Sequence, residues 1–186
     1  LLGDYAFVLW DAPRRALFAA RDPFGVKPLF VAEVSGRDGP WIVLSNTLPA
    51  VLEHPGVSWE PDESAMGDFL LFGAVHDEVL TPFADVLQVP RGTSLEYGPQ
   101  GRRTRTFWSL PEPGEIRYRR SREYVEHFET LLYQAVANRL PAPGHPAVIE
   151  LSGGLDSGSI ASAAVDVRGR RDLHAFSVGY ERLFDD

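Results

Sequence analysis

The chain has 186 residues, of which 44% are hydrophobic and 24% are charged, and these values are ordinary for a globular protein. Its net charge of −8 argues against nucleic-acid binding, and the absence of cysteine excludes disulfides, thiolate metal sites and thiol nucleophiles from these residues. No apolar run reaches the length of a membrane span and no signal peptide opens the sequence, so we expect a cytoplasmic protein without a membrane partner.

The first part of the sequence, up to about Trp108, predicts strands separated by turns. Asp11–Arg15 joins two apolar runs and predicts a hairpin, and Gly98–Gly101 predicts a second hairpin between Thr93–Tyr97 and Arg102–Trp108. The apolar strand runs lie at 5–10, 16–20, 29–32 and 41–44, and helices are expected at 47–53 and 62–72.

Arg21 and Asp22 are consecutive charged residues directly before the turn Pro23–Gly25. A buried ion pair that braces this turn is the preferred interpretation. A substrate clamp is the alternative.

A proline-rich segment, Leu110–Gly114, predicts a linker, so we place a domain boundary near residue 110 and expect domains at 1–110 and 111–186. Beyond the linker, apolar residues recur every three or four positions from Tyr124 to Leu140 and predict one long helix over 121–140. Pro141 marks its end.

A short apolar strand, Ala147–Leu151, runs into a glycine pair and then into a helix-compatible run that starts at Gly158. Such a turn aims backbone N–H groups and a helix N-terminus at phosphate, and the serines beside the glycines add hydroxyl donors. The Walker A loop and the dinucleotide fingerprint are both absent. The alternative is a plain helix N-terminus with Asp156 or Ser157 as its cap.

Residues 152–157 read Ser-Gly-Gly-Leu-Asp-Ser and resemble the PP-loop of ATP pyrophosphatases, which cleave ATP to AMP and pyrophosphate while they adenylate a substrate. Further segments resemble, in order, parts of the glutamine-dependent asparagine synthetase family. Those similar to its class II glutamine amidotransferase domain are Leu2–Asp11, Ala20–Phe30, Ser45–Leu52, Val89–Thr93 and Phe107-Trp108, and Ala175–Tyr180 resembles its second synthetase strand.

This resemblance implies an α+β region with Ntn-hydrolase-like antiparallel sheets, followed by an α/β region with the parallel sheet of PP-loop enzymes. It also implies that the chain is a fragment of a longer protein. In the family, an N-terminal cysteine releases ammonia from glutamine. The PP-loop domain adenylates a carboxylate, and ammonia then displaces AMP to form an amide. Because the cysteine is expected upstream of Leu1, no catalytic residue is assigned within this segment.

The resemblance also implies an ATP site formed by 151–157 and Val178. Ser152, Gly153, Gly154 and Ser157 are expected to contact the phosphates, with Leu155 in the same loop. Leu151 and Val178 are expected to hold the adenosine through their backbone groups, and Asp156 either caps the helix or helps to hold Mg²⁺. The expected partners are therefore ATP with Mg²⁺, glutamine, and aspartate or another carboxylate, and a homodimer is left open.

The sequence departs from the asparagine synthetase pattern at two places. Gly158 replaces a hydroxyl residue of S-G-G-L-D-S-S, and Asn46–Pro49 lacks the Glu and Lys of S-E-x-K-A-L. In addition, Ile116–Phe128 is similar to asparagine synthetase-like enzymes of peptide natural-product pathways, such as the macrolactam synthetases of lasso peptides. Three functions therefore stand: asparagine synthesis, an amide ligase of a natural-product pathway, and a non-catalytic homologue that binds nucleotide.

Overall fold

The computed structural model describes residues 1–36, 39–169 and 172–179. It divides into two compact units, Leu1–Glu112 (unit 1) and Pro113–Asp186 (unit 2). Among the described residues, no helix combines the length and apolar character that crossing a bilayer requires.

Unit 1 contains two antiparallel sheets and two helices. Its elements are β1 (Ala6–Asp11), β2 (Ala16–Arg21), β3 (Phe30–Gly36), β4 (Gly39–Ser45), α1 (Leu48–Leu52), α2 (Glu63–Phe72), β5 (Val86–Gln88), β6 (Thr93–Gly98) and β7 (Gly101–Thr106). One sheet has the order β1-β2-β6-β7 and the other the order β4-β3-β5. Both predicted hairpins are confirmed, since β1 pairs with β2 and β6 with β7.

The two sheets of unit 1 pack against each other, and α1 covers the far side of the second sheet. Side chains alternate between the faces of a strand, so the two sides of β3 serve different clusters. Val31 packs toward Ala19 and Leu95 of the first sheet. Its neighbour Ala32 joins the cluster that contains Val51 of α1. The consecutive residues Val31 and Ala32 are therefore both buried, one on each face of β3.

Arg21 binds main-chain oxygens rather than its neighbour Asp22, which corrects the expected ion pair. Its Nη1 donates to Val89 O at 2.8 Å, its Nη2 to Gly25 O at 2.7 Å and its Nε to Lys27 O at 3.0 Å. In the part of the chain that the structure describes, no ion pair joins Arg21 to Asp22. The guanidinium braces the turn by donating hydrogen bonds to three carbonyl oxygens.

Asp22 braces the same turn from the other side. Its Oδ1 accepts from the amides of Phe24 and Val26, both at 3.0 Å, and its Oδ2 accepts from Lys27 N at 2.9 Å. Burial acts to raise the pKa of Asp22, but these backbone donors outweigh it and hold the pKa below its usual value. The turn is thus a structural device built on one buried carboxylate and one guanidinium.

Unit 2 has a parallel strand pair and two helices. Its elements are α3 (Ser121–Arg139), β8 (Ala147–Glu150), α4 (Leu155–Arg168) and β9 (Leu173–Phe176). β8 and β9 pair in parallel, and α4 forms the crossover between them. Val136 of α3 packs against Ala163 and Ala164 of α4 in the small core. Small residues at this contact let the two helices approach closely.

Two predicted boundaries in unit 2 were wrong. α4 begins at Leu155, three residues before Gly158, because the glycine turn itself forms the helix start. The last strand was expected at 175–180, but β9 ends at Phe176, and Tyr180 lies outside the described residues. Pairing with β8 sets the position of β9, since Ala147 pairs with Leu173.

Candidate functional site

The loop after β8 lies where two parallel strands end side by side. Glu150 pairs with Phe176 in the ladder, and Leu151 N extends the pairing by donating to Phe176 O at 2.9 Å. The loop therefore leaves the sheet at the carboxyl ends of β8 and β9. Crevices at this edge of open α/β sheets are the usual place for ligands.

The glycine pair of the loop has one position that requires glycine and one that does not. Gly153 has φ of +80°, a left-handed conformation that a Cβ disfavours. A Cβ at Gly153 would meet no atom within 4 Å, so open space lies in front of the loop. Gly154 has ordinary extended angles and is the N-cap of α4.

Ser152 and Ser157 contact each other across the loop. Their hydroxyl oxygens are 3.1 Å apart, and Ser157 Oγ also accepts from Ser152 N at 3.2 Å. Ser157 Oγ donates to Gly154 O at 3.3 Å, and Gly154 N donates to Ser152 Oγ at 3.4 Å. We call this arrangement the serine clasp. It places the two hydroxyl groups beside the amides of Ser152 and Gly154.

The amino end of α4 faces the loop without a side-chain cap. Gly154 is the N-cap and makes no side-chain cap bond, and Asp156 lies at the second helical position. The expectation that Asp156 or Ser157 caps the helix is therefore wrong. The first amides of a helix have no intrahelical acceptor and carry partial positive charge. Leu155 is 89% exposed, so this end of the helix is accessible to a ligand.

The positions expected to hold adenosine lie at the same edge. Leu151 is one residue beyond β8 and half-buried, and Val178 is two residues beyond β9 and 62% exposed. An exposed Val178 has no packing role that would explain it as a core residue. Both residues therefore lie beside the loop at the strand ends, where Leu151 N is already bonded to Phe176 O.

Asp156 is the acidic residue within the loop and first turn of α4. Across the residues that the structure describes, no three His, Asp or Glu side chains come together as a metal site. A Mg²⁺ ion at Asp156 would need most of its oxygen ligands from a bound phosphate and from water, which is how Mg²⁺ is commonly held. The donor set of this loop fits a metal–phosphate ligand rather than a free ion.

The sequence did not predict a groove that reaches the serine clasp from one side. It has a volume of about 900 Å³ and runs along β8 between α3 and α4. Its walls are apolar, with Val136, Ile149 and Ile160, and one end is formed by Ser152, Asp156 and Ser157. The volume is within the range of small-molecule pockets.

Two family models match the chain in succession. Residues 1–108 match a glutamine amidotransferase domain, and residues 127–186 match asparagine synthase.

Curated relatives match nearly the whole chain. An asparagine synthetase [glutamine-hydrolyzing] 3 from Bacillus subtilis is 28% identical over 190 residues, which is 97% of this chain and 29% of the relative. An amidase chyE from Penicillium rubens is 33% identical over 170 residues, covering 90% of this chain and 24% of the relative. A putative asparagine synthetase [glutamine-hydrolyzing] from Mycobacterium tuberculosis is 31% identical over 186 residues, covering 98% and 28%. The chain spans less than a third of each of these relatives.

A solved glutamine phosphoribosylpyrophosphate amidotransferase from B. subtilis aligns with 94% of this chain and 32% of its own, at 18% identity. Its TM-score of 0.31 is too low to support a shared fold.

Proposed function

Since the chain belongs to the glutamine amidotransferase domain family, and asparagine synthase matches its second region, we propose that the full-length protein is a glutamine-dependent asparagine synthetase. It adenylates the side-chain carboxylate of aspartate with ATP and amidates it with ammonia from glutamine. The observation that carries the ATP half of this proposal is the open glycine loop at the amino end of α4.

The loop supplies donors for phosphate. A Cβ at Gly153 would meet nothing, so the loop has an open side, and in this proposal a phosphate placed there accepts from the amides of Gly153 and Gly154 and from the first amides of α4. Ser152 and Ser157, which hold each other at 3.1 Å, exchange that bond for bonds to phosphate oxygens. Such donors stabilise the negative charge that grows on pyrophosphate as it leaves.

The remaining proposed contacts surround the phosphates. The backbone at Leu151 and Val178 holds the adenosine at the carboxyl ends of the strands. Asp156 helps to hold Mg²⁺, which when bound neutralises charge on the phosphate oxygens. Leu155 contributes its amide from the first position of α4.

The proposed synthetase reaction has two steps, and in each of them one bond forms and one breaks. A carboxylate oxygen of aspartate attacks the α-phosphorus of ATP, and the bond to pyrophosphate breaks. Ammonia then attacks the acyl carbon, the bond to AMP breaks, and the amide loses a proton. Adenylation is needed because a free carboxylate is a poor electrophile. No cysteine is among the 186 residues, so they do not contain the nucleophile that would release ammonia from glutamine.

A second candidate differs in the acceptor. The curated relatives include two fungal proteins named amidase, which are 33% and 31% identical to this chain. The sequence also lacks the Glu and Lys of the asparagine synthetase segment at Asn46–Pro49. The departure at Asn46–Pro49 and the similarity of Ile116–Phe128 to enzymes of peptide natural-product pathways support an amide-forming enzyme of such a pathway, in which the same ATP loop activates a carboxylate other than that of aspartate.

Product analysis of the full-length protein separates these candidates. The protein is incubated with ATP, Mg²⁺, glutamine and aspartate, and AMP, glutamate and asparagine are quantified. Asparagine and AMP in equal amounts are the expected result. AMP that forms only when a peptide or another acid replaces aspartate would transfer the protein to the second candidate. No AMP with any acid would leave a nucleotide-binding homologue and contradict both.

A further inference from the structure

The chain leaves unit 1 at Trp108 through hydrogen bonds that join three separate segments. Phe107 N and Trp108 N both donate to Gly92 O, at 2.8 and 3.2 Å. Gly92 N in turn donates to Asp22 O at 2.9 Å. The turn that starts at Asp22, the turn at Gly92 and the residues after β7 are therefore held together directly before the linker.

Trp108 fits closely against Gly92 and Phe24. Gly92 has φ of +61°, and a Cβ at this position would collide with Trp108 O. The ring of Trp108 packs against the ring of Phe24, with centroids 5.1 Å apart. Phe24 is itself fixed, because its N–H donates to the buried carboxylate of Asp22 at 3.0 Å. Trp108 is thus held through both its backbone and its side chain, and we call Phe24, Gly92 and Trp108 the exit anchor.

The linker that follows the exit anchor is short and contains two prolines. Residues 109–115 read Ser-Leu-Pro-Glu-Pro-Gly-Glu and form no helix or strand. Each proline fixes its own φ and restricts the residue before it to extended angles, so Leu110–Pro113 is semi-rigid. A direction that is set at Trp108 is therefore carried several residues along the chain.

The chain is held again near the start of unit 2. The hydroxyl of Tyr124 in α3 donates to Ile116 O at 3.4 Å and accepts from Tyr118 N at 2.9 Å. The Tyr118 hydroxyl lies 2.6 Å from His127 Nδ1, also in α3. Ile116 and Tyr118 are thus tied to the first two turns of α3, so 109–115 joins two anchored ends.

We propose that Trp108 is a positioning residue, which the exit anchor holds so that the chain leaves unit 1 in one direction. The inference rests on the proposed function, because its consequence is that ammonia release from glutamine stays coupled to amide formation at the ATP loop. Ammonia that escapes into water is diluted and protonated, and the protonated form is not a nucleophile. The length and stiffness of a connection set the effective concentration of one domain at another, so a fixed exit limits this loss.

The test measures coupling in the full-length protein as the glutamate formed per AMP. The protein is given glutamine, ATP, Mg²⁺ and the acid that supports AMP formation. Trp108→Ala removes the ring that contacts Phe24, and should raise this ratio by about twofold or more. When an ammonium salt replaces glutamine, AMP formation should stay within about twofold of wild type, because the ATP loop is unchanged.

Trp59→Ala is the matched control for Trp108→Ala. Trp59 lies in the same unit and packs against Phe83 with ring centroids 5.7 Å apart, but it is not part of the exit anchor. Its ratio of glutamate to AMP should equal that of wild type. Phe24→Ala is the second test variant, since it removes the other ring of the contact and should raise the ratio as Trp108→Ala does. Circular dichroism and thermal melting establish that each variant is folded.

The linker gives an independent variant that leaves the exit anchor intact. Pro111→Gly with Pro113→Gly removes the stiffness that carries the direction forward, and should also raise the ratio of glutamate to AMP. Pro13→Gly with Pro99→Gly is its control, because both prolines lie in hairpin turns of unit 1. This control should keep the ratio of wild type.

Hydrogen exchange gives a measurement that does not depend on the reaction. The amides of residues 107 and 108 should exchange about tenfold or more faster in Trp108→Ala, and at the rate of wild type in Trp59→Ala. Unchanged exchange in Trp108→Ala would overturn the exit anchor. With AMP formed, an unchanged ratio in Trp108→Ala and Phe24→Ala, or an equal rise in Trp59→Ala, would overturn the inference alone. Wild-type protein that forms no AMP with any acid would overturn the coupling together with the proposed function.

Discussion

Single buried charged residues organise the backbone of unit 1. Asp22 is fully buried, and its carboxylate is surrounded by main-chain N–H groups rather than by a cation. Arg21 is 7% exposed and saturates three carbonyls of the same region. Their position directly before the turn Pro23–Gly25 was enough to predict that both side chains brace this turn. Their partners could not be predicted, because main-chain groups 2 to 68 positions away become neighbours only in the fold.

Replacing Asp22 by Asn should destabilise unit 1 by about 2–3 kcal/mol, because an amide has one acceptor oxygen for three N–H donors and its NH₂ group opposes the others. The folded pKa of Asp22 is lowered from 3.8, so its stabilisation is present above that pH and is lost as the pH falls through the folded pKa. Thermal unfolding of the full-length protein should therefore show a large difference from wild type at neutral pH and a smaller one at acid pH.

Asp11→Asn is the matched control for this prediction. Asp11 is paired with Arg14 at 3.6 Å on the surface, where such pairs contribute little. An equal loss of stability in both variants would contradict the role of Asp22.

The raised pKa of Tyr97 predicts that unit 1 loses stability at alkaline pH. Burial, followed by its hydrogen bond to Glu33 Oε1 at 2.9 Å, raises the pKa of Tyr97 from 10.0 to about 12. The neutral phenol is favoured in the folded state, so its stabilisation is complete below pH 10 and is lost as the pH rises toward about 12. Tyr97→Phe should unfold with a weaker pH dependence in this window. The measurement is thermal unfolding across alkaline pH, and an identical pH dependence in wild type and variant would refute the assignment.

At the scale of elements, the spacing of apolar residues and the position of turn-forming residues predicted most of the helices and strands. The hairpins β1–β2 and β6–β7 follow from apolar runs around turn-forming residues, and α3 follows from its apolar stripe. The strand β5 was missed because three residues are too few to show alternation. The four-residue strand β9 was placed too late, because its position depends on register with β8 rather than on its own composition. These two strands, of three and four residues, are thus too short for the sequence pattern to predict their existence or position.

Gly158 offers a test of the helix start. It lies inside α4, where a Cβ would meet no atom within 4 Å and the backbone is helical. Gly158→Ala should stabilise the protein by about 0.5–1 kcal/mol, since glycine costs this much in a helix interior. Gly92→Ala serves as the contrasting variant, because Gly92 has φ of +61° and its added Cβ would collide with Trp108 O. A destabilised Gly158→Ala protein in thermal unfolding would show that the α4 start is described incorrectly.

At the scale of the whole molecule, the candidate ATP site was predictable in part. The strand, the glycine pair and the helix follow from 147–165, and the motif order led to a family that the comparisons support. The serine clasp was not predictable, because Ser152 and Ser157 meet only once the loop has turned. The exposure of Leu70 and Leu71 on α2 was also not predictable, since an apolar helix in a sequence is ordinarily interpreted as core.

Binding of ATP with Mg²⁺ to the full-length protein tests the central claim most directly. Calorimetry compares wild type, Gly153→Val and Gly158→Ala, with adenosine as a ligand that lacks phosphates. A side chain at Gly153 strains a left-handed residue and fills the open space before the loop. Loss of two phosphate hydrogen bonds at about 1.5–3 kcal/mol each predicts ATP binding weakened by about 100-fold or more.

The account predicts that Gly158→Ala binds ATP within about threefold of wild type, and that Gly153→Val keeps the affinity of wild type for adenosine, because only the phosphate contacts are lost. A folded Gly153→Val protein that binds ATP as wild type does, or an equal loss of ATP binding in both glycine variants, would contradict the assignment of this loop to the phosphates.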